Sequence, residues 1–244
     1  MQKKNKKPIT WNSRHASTIQ STHVLLKKTS SLTTRQLNEY QQQSIKAQRY
    51  SQKFILPIFK SLNKRLKLLD VGALDGQTYR KYSFIQPISI DLNPQSPLVQ
   101  KQDFLKRPLP TSNEDRFDAC CLALVINFCP NPADRGLMIA RSWDFLLPDG
   151  ILYVSLPLPC VKNSRYLTHE HFFKIVEACG FRLLNHHHSP RIAYYCFQKS
   201  SRSIFPEFRK IQLNPGASRN NFCITLDCST FNHAIETPIT LSES

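Results

Sequence analysis

The chain has 244 residues, 41% of them hydrophobic and 10% aromatic, and carries a formal net charge of +16. That balance suits one globular domain with extensions and excludes wholesale disorder; a core of roughly 150 residues buries about 68–70% of its unfolded surface, so no disulfide or metal staple is required. No run approaches about 18 apolar residues, which excludes a membrane span, and MQKKNKKPIT has no apolar stretch after its lysines, so a soluble, intracellular protein without a secretory signal is expected.

Residues 1–65 hold fourteen Lys or Arg against the single acid Glu39, which is +13 of the +16. Residues 66–244 are nearly balanced, with 19 basic against 16 acidic side chains. A polycation joined to a balanced fold predicts a polyanionic partner, nucleic acid before membrane, because few aromatic or leucine anchors accompany it. KKNKK also reads as a nuclear-import signal. Residues 1–20 read as a disordered basic leader and residues 21–63 as a helical extension. Within the latter, Ser21 to Leu32 is one short helix. Thr33 or Thr34 caps a second that bears Leu37, Tyr40, Ile45 and Gln48, and FILPIFKSLN at 54–63 is a third, broken or started near Pro57.

Residues 64–200 then alternate strands with helices. LKLLDVG, PISIDLN at 87–93 and RFDACCLALVINF at 116–128 read as strands, the last apolar almost throughout, as strands covered on both faces are. A helix follows from Pro132 to Leu147, closed by a turn at Pro148-Asp149-Gly150, then the strand ILYVSLPL at 151–158. THEHFFKIVEACG is a helix that starts on the Thr168 cap and stops at Gly180, and FRLLNHH with IAYYCFQK forms a final strand pair. The order predicts an α/β, doubly wound and mainly parallel sheet. Residues 201–244 read as a partly ordered C-terminal extension, NPGASRNNFCITL being its ordered piece.

Eight cysteines, at 120, 121, 129, 160, 179, 196, 223 and 228, form no CxxC pair and read as reduced, mostly buried thiols. The run NHHHS at 185–189 predicts no metal site, because consecutive histidines on a strand point to alternate faces.

In such a sheet, ligands bind beyond the carboxyl ends of the strands where strand order reverses, and LLDVGALDG lies there. Gly72 lets the backbone approach a ligand, Gly76 closes the turn, and a following helix N-terminus is expected to offer free N–H groups. Asp91, nineteen positions after Gly72, ends the second strand, where a carboxylate can accept from both ribose hydroxyls of a nucleoside cofactor. Asp103 is placed for an adenine amino group. A dinucleotide needs G-x-G-x-x-G to seat its pyrophosphate, but Leu74 occupies the second glycine position. S-adenosyl-L-methionine has no phosphate, tolerates this loop, and is the cofactor predicted. A last strand inserted antiparallel fits the same class of protein.

Several segments carry a resemblance: LLDVGAL, IDLNPQSPLVQKQDFLKRPLP, FDACCLALVINFCPNPADRG, LYVSLPLPCVKNSRYL and NPGASRNNFCI. Over about residues 66–225 the chain resembles the fungal 25S ribosomal RNA adenine-N(1)-methyltransferase family. The resemblance implies a Rossmann-like class I methyltransferase acting on ribosomal RNA of the large subunit in the nucleus and nucleolus, with cofactor contacts at Gly72 and Asp91. We take a monomer as the working assembly. A metazoan branch with similar motifs is a cofactor sensor that signals through protein partners, and that reading stands as the alternative, with the polybasic leader against it.

Adenine N1 carries a bare lone pair, so catalysis is expected to rest on positioning. Asn127 and Phe128 in INFCPNP lie where base-methylating enzymes of this fold place the target, Asn127 to hydrogen-bond the adenine edge and Phe128 to stack on it; closing a turn and capping the core are their alternative roles. Lys162, Asn163, Arg165 and Tyr166 in LPLPCVKNSRY suit contact with RNA, against the alternative of a plain surface turn.

Overall fold

The computed structural model describes residues 45, 48–49, 52–202 and 207–227. The leader at 1–20, the helix expected at 21–32 and most of the one after it lie outside the described residues, although 45, 48 and 49 are helical. The chain divides into two units, Met1–Tyr50 and Ser51–Ser244, and everything below concerns the second.

Among the described residues, seven strands form one sheet: β1 (Leu66–Val71), β2 (Ile85–Asp91), β3 (Gln100–Lys101), β4 (Phe117–Ala123), β5 (Leu146–Pro157), β6 (Phe181–His188) and β7 (Ile192–Lys199). Their order is β3-β2-β1-β4-β5-β7-β6. The pairs among β1 to β5 are parallel, and β7 runs antiparallel between β5 and β6. This is the expected mainly parallel sheet with an antiparallel last strand. Helix α1 occupies 52–61, α2 Pro132–Phe145, α3 Pro159–Lys162 and α4 His169–Ala178.

Each central strand buries both faces, so its apolar residues sort by parity rather than alternating with polar ones. Leu69 and Val71 of β1 join Leu122, Leu152, Ile139, Phe172 and Ile175 in a core under α2 and α4. Leu66 and Leu68 point the other way, into a smaller core with Ile55, Phe59, Tyr79, Tyr153 and Tyr194. The strands β1, β2, β4 and β5 therefore end together along one rim, at Val71, Asp91, Ala123 and Pro157.

Local structure departs from expectation at four places. Helix α1 runs unbroken through Pro57, whose exposed ring forfeits one backbone bond while Ile55 and Phe59 are fully buried. The third apolar run leaves the sheet at Ala123, because Leu124 takes a left-handed φ of 55° and Ile126–Phe128 forms a 3₁₀ turn. Helix α2 ends at Phe145 instead of Leu147, and 146–150 belongs to β5 as a bulge: Phe117 pairs with Leu146, but Ala119 pairs with Ile151. No helix follows the first glycine loop. Residues 72–84 are turns, since Gly72 and Gly76 both take positive φ and the Asp75 carboxylate accepts the Gln77 N–H.

Candidate active site

The glycine loop is pinned to the neighbouring strand. Gly72 and Ala73 N–H both donate to the Ile90 carbonyl, at 2.8 and 3.1 Å, which draws the loop against Asp91 at the end of β2. Gly72 has φ +74°, and a Cβ there would lie 2.7 Å from Val125 Cγ2 and 3.9 Å from Asp91 Oδ2. Glycine is thus required by the backbone and by Val125 together, and one Asp91 oxygen stands near the same spot. The other, Oδ1, accepts from Asn93 N–H at 2.6 Å. Burial raises the pKa of Asp91, and that hydrogen bond partly offsets the rise. Leu92, next in the chain, is 66% exposed and offers an apolar surface beside the carboxylate.

Asp70, which reads in the sequence as one more strand residue, is a third acid of this loop. It is buried one strand position behind Val71, and its pKa rises to about 8, first through desolvation and then through Asp75 and Asp91. Three carboxylates around one turn of a cationic chain favour a ligand that brings positive charge.

Gly76 has a local reason to be glycine. Its φ is +65°, its N–H donates to Ala73 at 2.6 Å, and a Cβ would lie 2.9 Å from Val99 Cγ2. It shapes the loop by packing on 98–99. Asp103 caps the 3₁₀ turn Phe104–Lys106, its Oδ1 accepting from Leu105 N–H at 2.9 Å. The donors expected from a helix N-terminus do not exist here, because the loop leads into turns.

Asn127 and Phe128 are half-buried in the 3₁₀ turn beyond β4, and Val125 at the start of that turn is the residue packed on Gly72. The glycine loop and the INF turn therefore share a wall. Arg135 of α2 fixes the continuation of that turn. Its buried guanidinium donates to the carbonyls of Cys129 (2.8 Å), Pro130 (3.2 Å) and Cys223 (2.7 Å) and lies 4.4 Å from the Phe222 ring centre. Desolvation lowers its pKa from the usual guanidinium value. Beside it, a Cβ on Gly136 would stand 2.0 Å from the Thr225 carbonyl oxygen, so the C-terminal strap, residues 207–227, passes in direct backbone contact with α2.

The same strap explains LPLPCVKNSRY. Arg165 donates to the carbonyls of Gly216 (3.1 Å) and Ala217 (3.0 Å) and to Asn221 Oδ1, while its backbone meets Asn220, Leu213 and Asn214. The role visible for Arg165 is to fasten 213–221 to the rim. Lys162 and Asn163 are exposed, and Asn163 pairs with Asn220 and Ser218. Tyr166 is half-buried under the Lys210 ammonium, 4.6 Å from its ring centre. The 165–221 contacts span more than fifty positions, and only the ordered look of NPGASRNNFCITL pointed to them.

The three histidines of β6 split as a strand requires: His187 stacks with Phe54 and Tyr194, whereas His186 and His188 face Phe173 and His169. Tyr195 Oη is 2.8 Å from His169 Nδ1. Among the described residues no group of three or more His, Cys, Asp or Glu is arranged to hold a metal ion, and no helix is long and apolar enough to cross a membrane.

Residues 14–224 match the protein family described as 25S rRNA (adenine(2142)-N(1))-methyltransferase, Bmt2. The Saccharomyces cerevisiae protein named 25S rRNA (adenine(2142)-N(1))-methyltransferase is 36% identical over 168 residues, 65% of this chain and 48% of its own length. A Schizosaccharomyces pombe protein named 25S rRNA adenine-N(1) methyltransferase is 36% identical over 167 residues, 64% of this chain and 59% of its own length. The chain thus spans about half the length of the curated relatives it matches. Among solved structures, the Burkholderia thailandensis 1,6-didemethyltoxoflavin-N1-methyltransferase, bound to its substrate and S-adenosylhomocysteine, superposes with a TM-score of 0.56. It is 14% identical and covers 80% of this chain and 93% of its own. The [4+2]-cyclase SpnF gives 0.50 at 16% identity, covering 63% and 80%. At such identities the likeness establishes the Rossmann-like class I fold alone.

Proposed function

Because this chain belongs to the 25S rRNA (adenine-N(1))-methyltransferase family, we propose that it methylates N1 of an adenine in large-subunit ribosomal RNA, with S-adenosyl-L-methionine as cofactor. The observation that carries the reading is the juxtaposition of Gly72 and Asp91, a cradle that a Cβ would narrow with a carboxylate oxygen 3.9 Å from it. The residues fit the group. Asp91 would accept from the ribose hydroxyls, Leu92 would cover an adenine face, and the Asp70, Asp75 and Asp91 charges would favour a cation. Gly76 would support the loop, and Asp103 would face the adenine amino group. When bound, the cofactor supplies an electrophilic methyl group on a sulfonium.

The chain itself has to expose and hold the target base. Neutral adenine N1 has an in-plane lone pair, so no residue is needed to remove a proton from it. Alignment alone can lower a barrier by about 7–11 kcal/mol. Asn127 would hydrogen-bond the adenine edge, its amide oxygen also stabilising the positive charge of the methylated ring, and Phe128 would stack on the base. A paired adenine hides N1, so the target is unpaired or flipped. Lys162, Asn163 and Tyr166 would contact the RNA around it, while Arg165 holds the strap that walls the site. The basic leader would add sequence-independent affinity. A ribosomal RNA substrate and the KKNKK cluster support a nuclear and nucleolar location, the chain acting as a monomer on the pre-ribosomal large subunit.

The test is methyl transfer from labelled cofactor to large-subunit RNA that lacks its own modification, with N1-methyladenine as the product scored. Transfer by the parent chain and loss in Asp91→Ala is expected. Cofactor binding without transfer would favour the sensor reading instead.

A further inference from the structure

The sheet edge opposite the Gly72–Asp91 rim gathers cations. Phe117 begins β4, Leu146 begins β5 and Lys199 ends the antiparallel β7, so the side chains around them meet at the far end of the strands. Asp144, at the end of α2, is the carboxylate at the centre. Burial raises its pKa, and four cations, Arg202, Lys199, Arg141 and Arg116, act against the rise. Arg202 pairs with it at 3.4 Å, with only 9% of the Arg202 side chain exposed. Asp103 adds a second carboxylate beside Arg141.

Aromatic rings hold much of the remaining charge. Trp143 lies between Lys199 and Arg202, 3.8 and 4.5 Å from its ring centre, and Phe145 lies between Arg107 and Arg141, each at 5.8 Å. A ring face stabilises a cation without neutralising it. Five cations thus face two carboxylates. Burial and the adjacent Arg116 bring the Lys199 ammonium down to about 8, a repulsion that a bound anion would relieve. Two donors are also left over: Arg116 Nε and Arg141 Nε are buried without a hydrogen-bond partner. A guanidinium with a spare N–H beside an under-neutralised ammonium is the chemistry that takes a phosphate oxygen.

We propose that this edge is a second, phosphate-binding site, occupied by a phosphate of the RNA backbone docked across the bottom of the sheet. It would anchor structured RNA away from the target adenine, since the two rims lie at opposite ends of the strands. The RNA assignment rests on the reading of the chain as an RNA-modifying enzyme, whereas the phosphate chemistry does not.

The test uses the full chain and the variants Arg116→Gln and Arg116→Gln/Lys199→Gln, with Arg116→Lys as the charge-preserving control. Affinity for a helical large-subunit RNA fragment is measured across a potassium chloride series. The double variant should bind more weakly, its salt slope shallower by about 0.7–0.9 for each phosphate it no longer neutralises. Arg116→Lys should keep the parent slope, and cofactor affinity by calorimetry should stay unchanged in all. In a second arm, millimolar inorganic phosphate should raise the melting temperature of the parent and not of the double variant. An unchanged RNA slope with a lost phosphate response would overturn the RNA assignment and leave a site for free phosphate. No difference in either arm overturns the proposal. Absence of methyl transfer by the parent chain would instead count against the function proposed above.

Discussion

Gly72 sits under two constraints of different origin. Its φ of +74° disfavours any L side chain, and Val125 occupies the space a Cβ would need. Gly72→Ala should therefore lose cofactor affinity and also lower stability, by about 1–3 kcal/mol. Adding Val125→Ala should recover the part that comes from the clash while the strain of positive φ remains. Thermal melts beside cofactor calorimetry separate the two, and a Gly72→Ala chain with parental melting temperature and affinity would remove this loop from the site. Asp70 makes a prediction about pH. Its carboxyl ionises at about 8 when folded against 3.8 in the open chain, so between those values the native state holds the extra proton. Stability due to this group is complete below pH 3.8, falls as pH rises through that window, and is fully lost above about 8. Asp70→Asn should melt above the parent at pH 8, by on the order of 5 °C, and the two should converge toward pH 4. A gap that does not vary with pH would mean that Asp70 is not protonated in the native state. That acid was illegible in LLDVG, where nothing sets it apart from its strand neighbours. Its burial follows from strand parity and from Tyr79 and Cys121 packed around it.

Elements whose signals are local were legible in the sequence. The Thr168 cap accepts His171 N–H at 3.1 Å, α4 ends before a Gly180 with φ of +88°, and the parallel strands read as apolar runs. Elements shaped by distant partners were not. The stop of β4 at Leu124 depends on the Ser155 carbonyl of the neighbouring strand, 3.0 Å from its N–H, and the bulge at 146–150 depends on pairing with Phe117. The C-terminal strap is the extreme case, since Arg135 and Cys223 meet across 88 positions. Removing that guanidinium strands three carbonyls and loosens both the 129–130 loop and the strap. Arg135→Ala should cost about 3 kcal/mol and expose 207–227 to limited proteolysis. Methyl transfer should fall more than cofactor affinity, because Gly72 and Asp91 do not touch Arg135. Parental protease resistance would show that Gly136 and the buried Ile224 and Leu226 hold the strap without it.

At the scale of the whole molecule, a nearly balanced fold carries a leader of +13. Seven of the fourteen leader cations lie in residues 1–30. Deleting them should weaken RNA binding and flatten its salt dependence, by about 0.7 in slope for each single-stranded phosphate left without its cation. Cofactor affinity should persist, since the residues assigned to the cofactor begin at Asp70. A truncated chain with the parental salt slope would leave the leader without an RNA role and strengthen the sensor reading. The family, the fold and the Gly72–Asp91 cradle converge on methylation of an adenine N1 in ribosomal RNA, and one measurement addresses that convergence directly. N1-methyladenine is mapped along the large-subunit RNA in cells that lack the gene, and again after the parent chain or Asp91→Ala is restored. We predict that one adenine loses its methyl group on deletion, regains it with the parent chain and stays bare with Asp91→Ala. An unaltered N1-methyladenine map in the deleted cells would contradict the account.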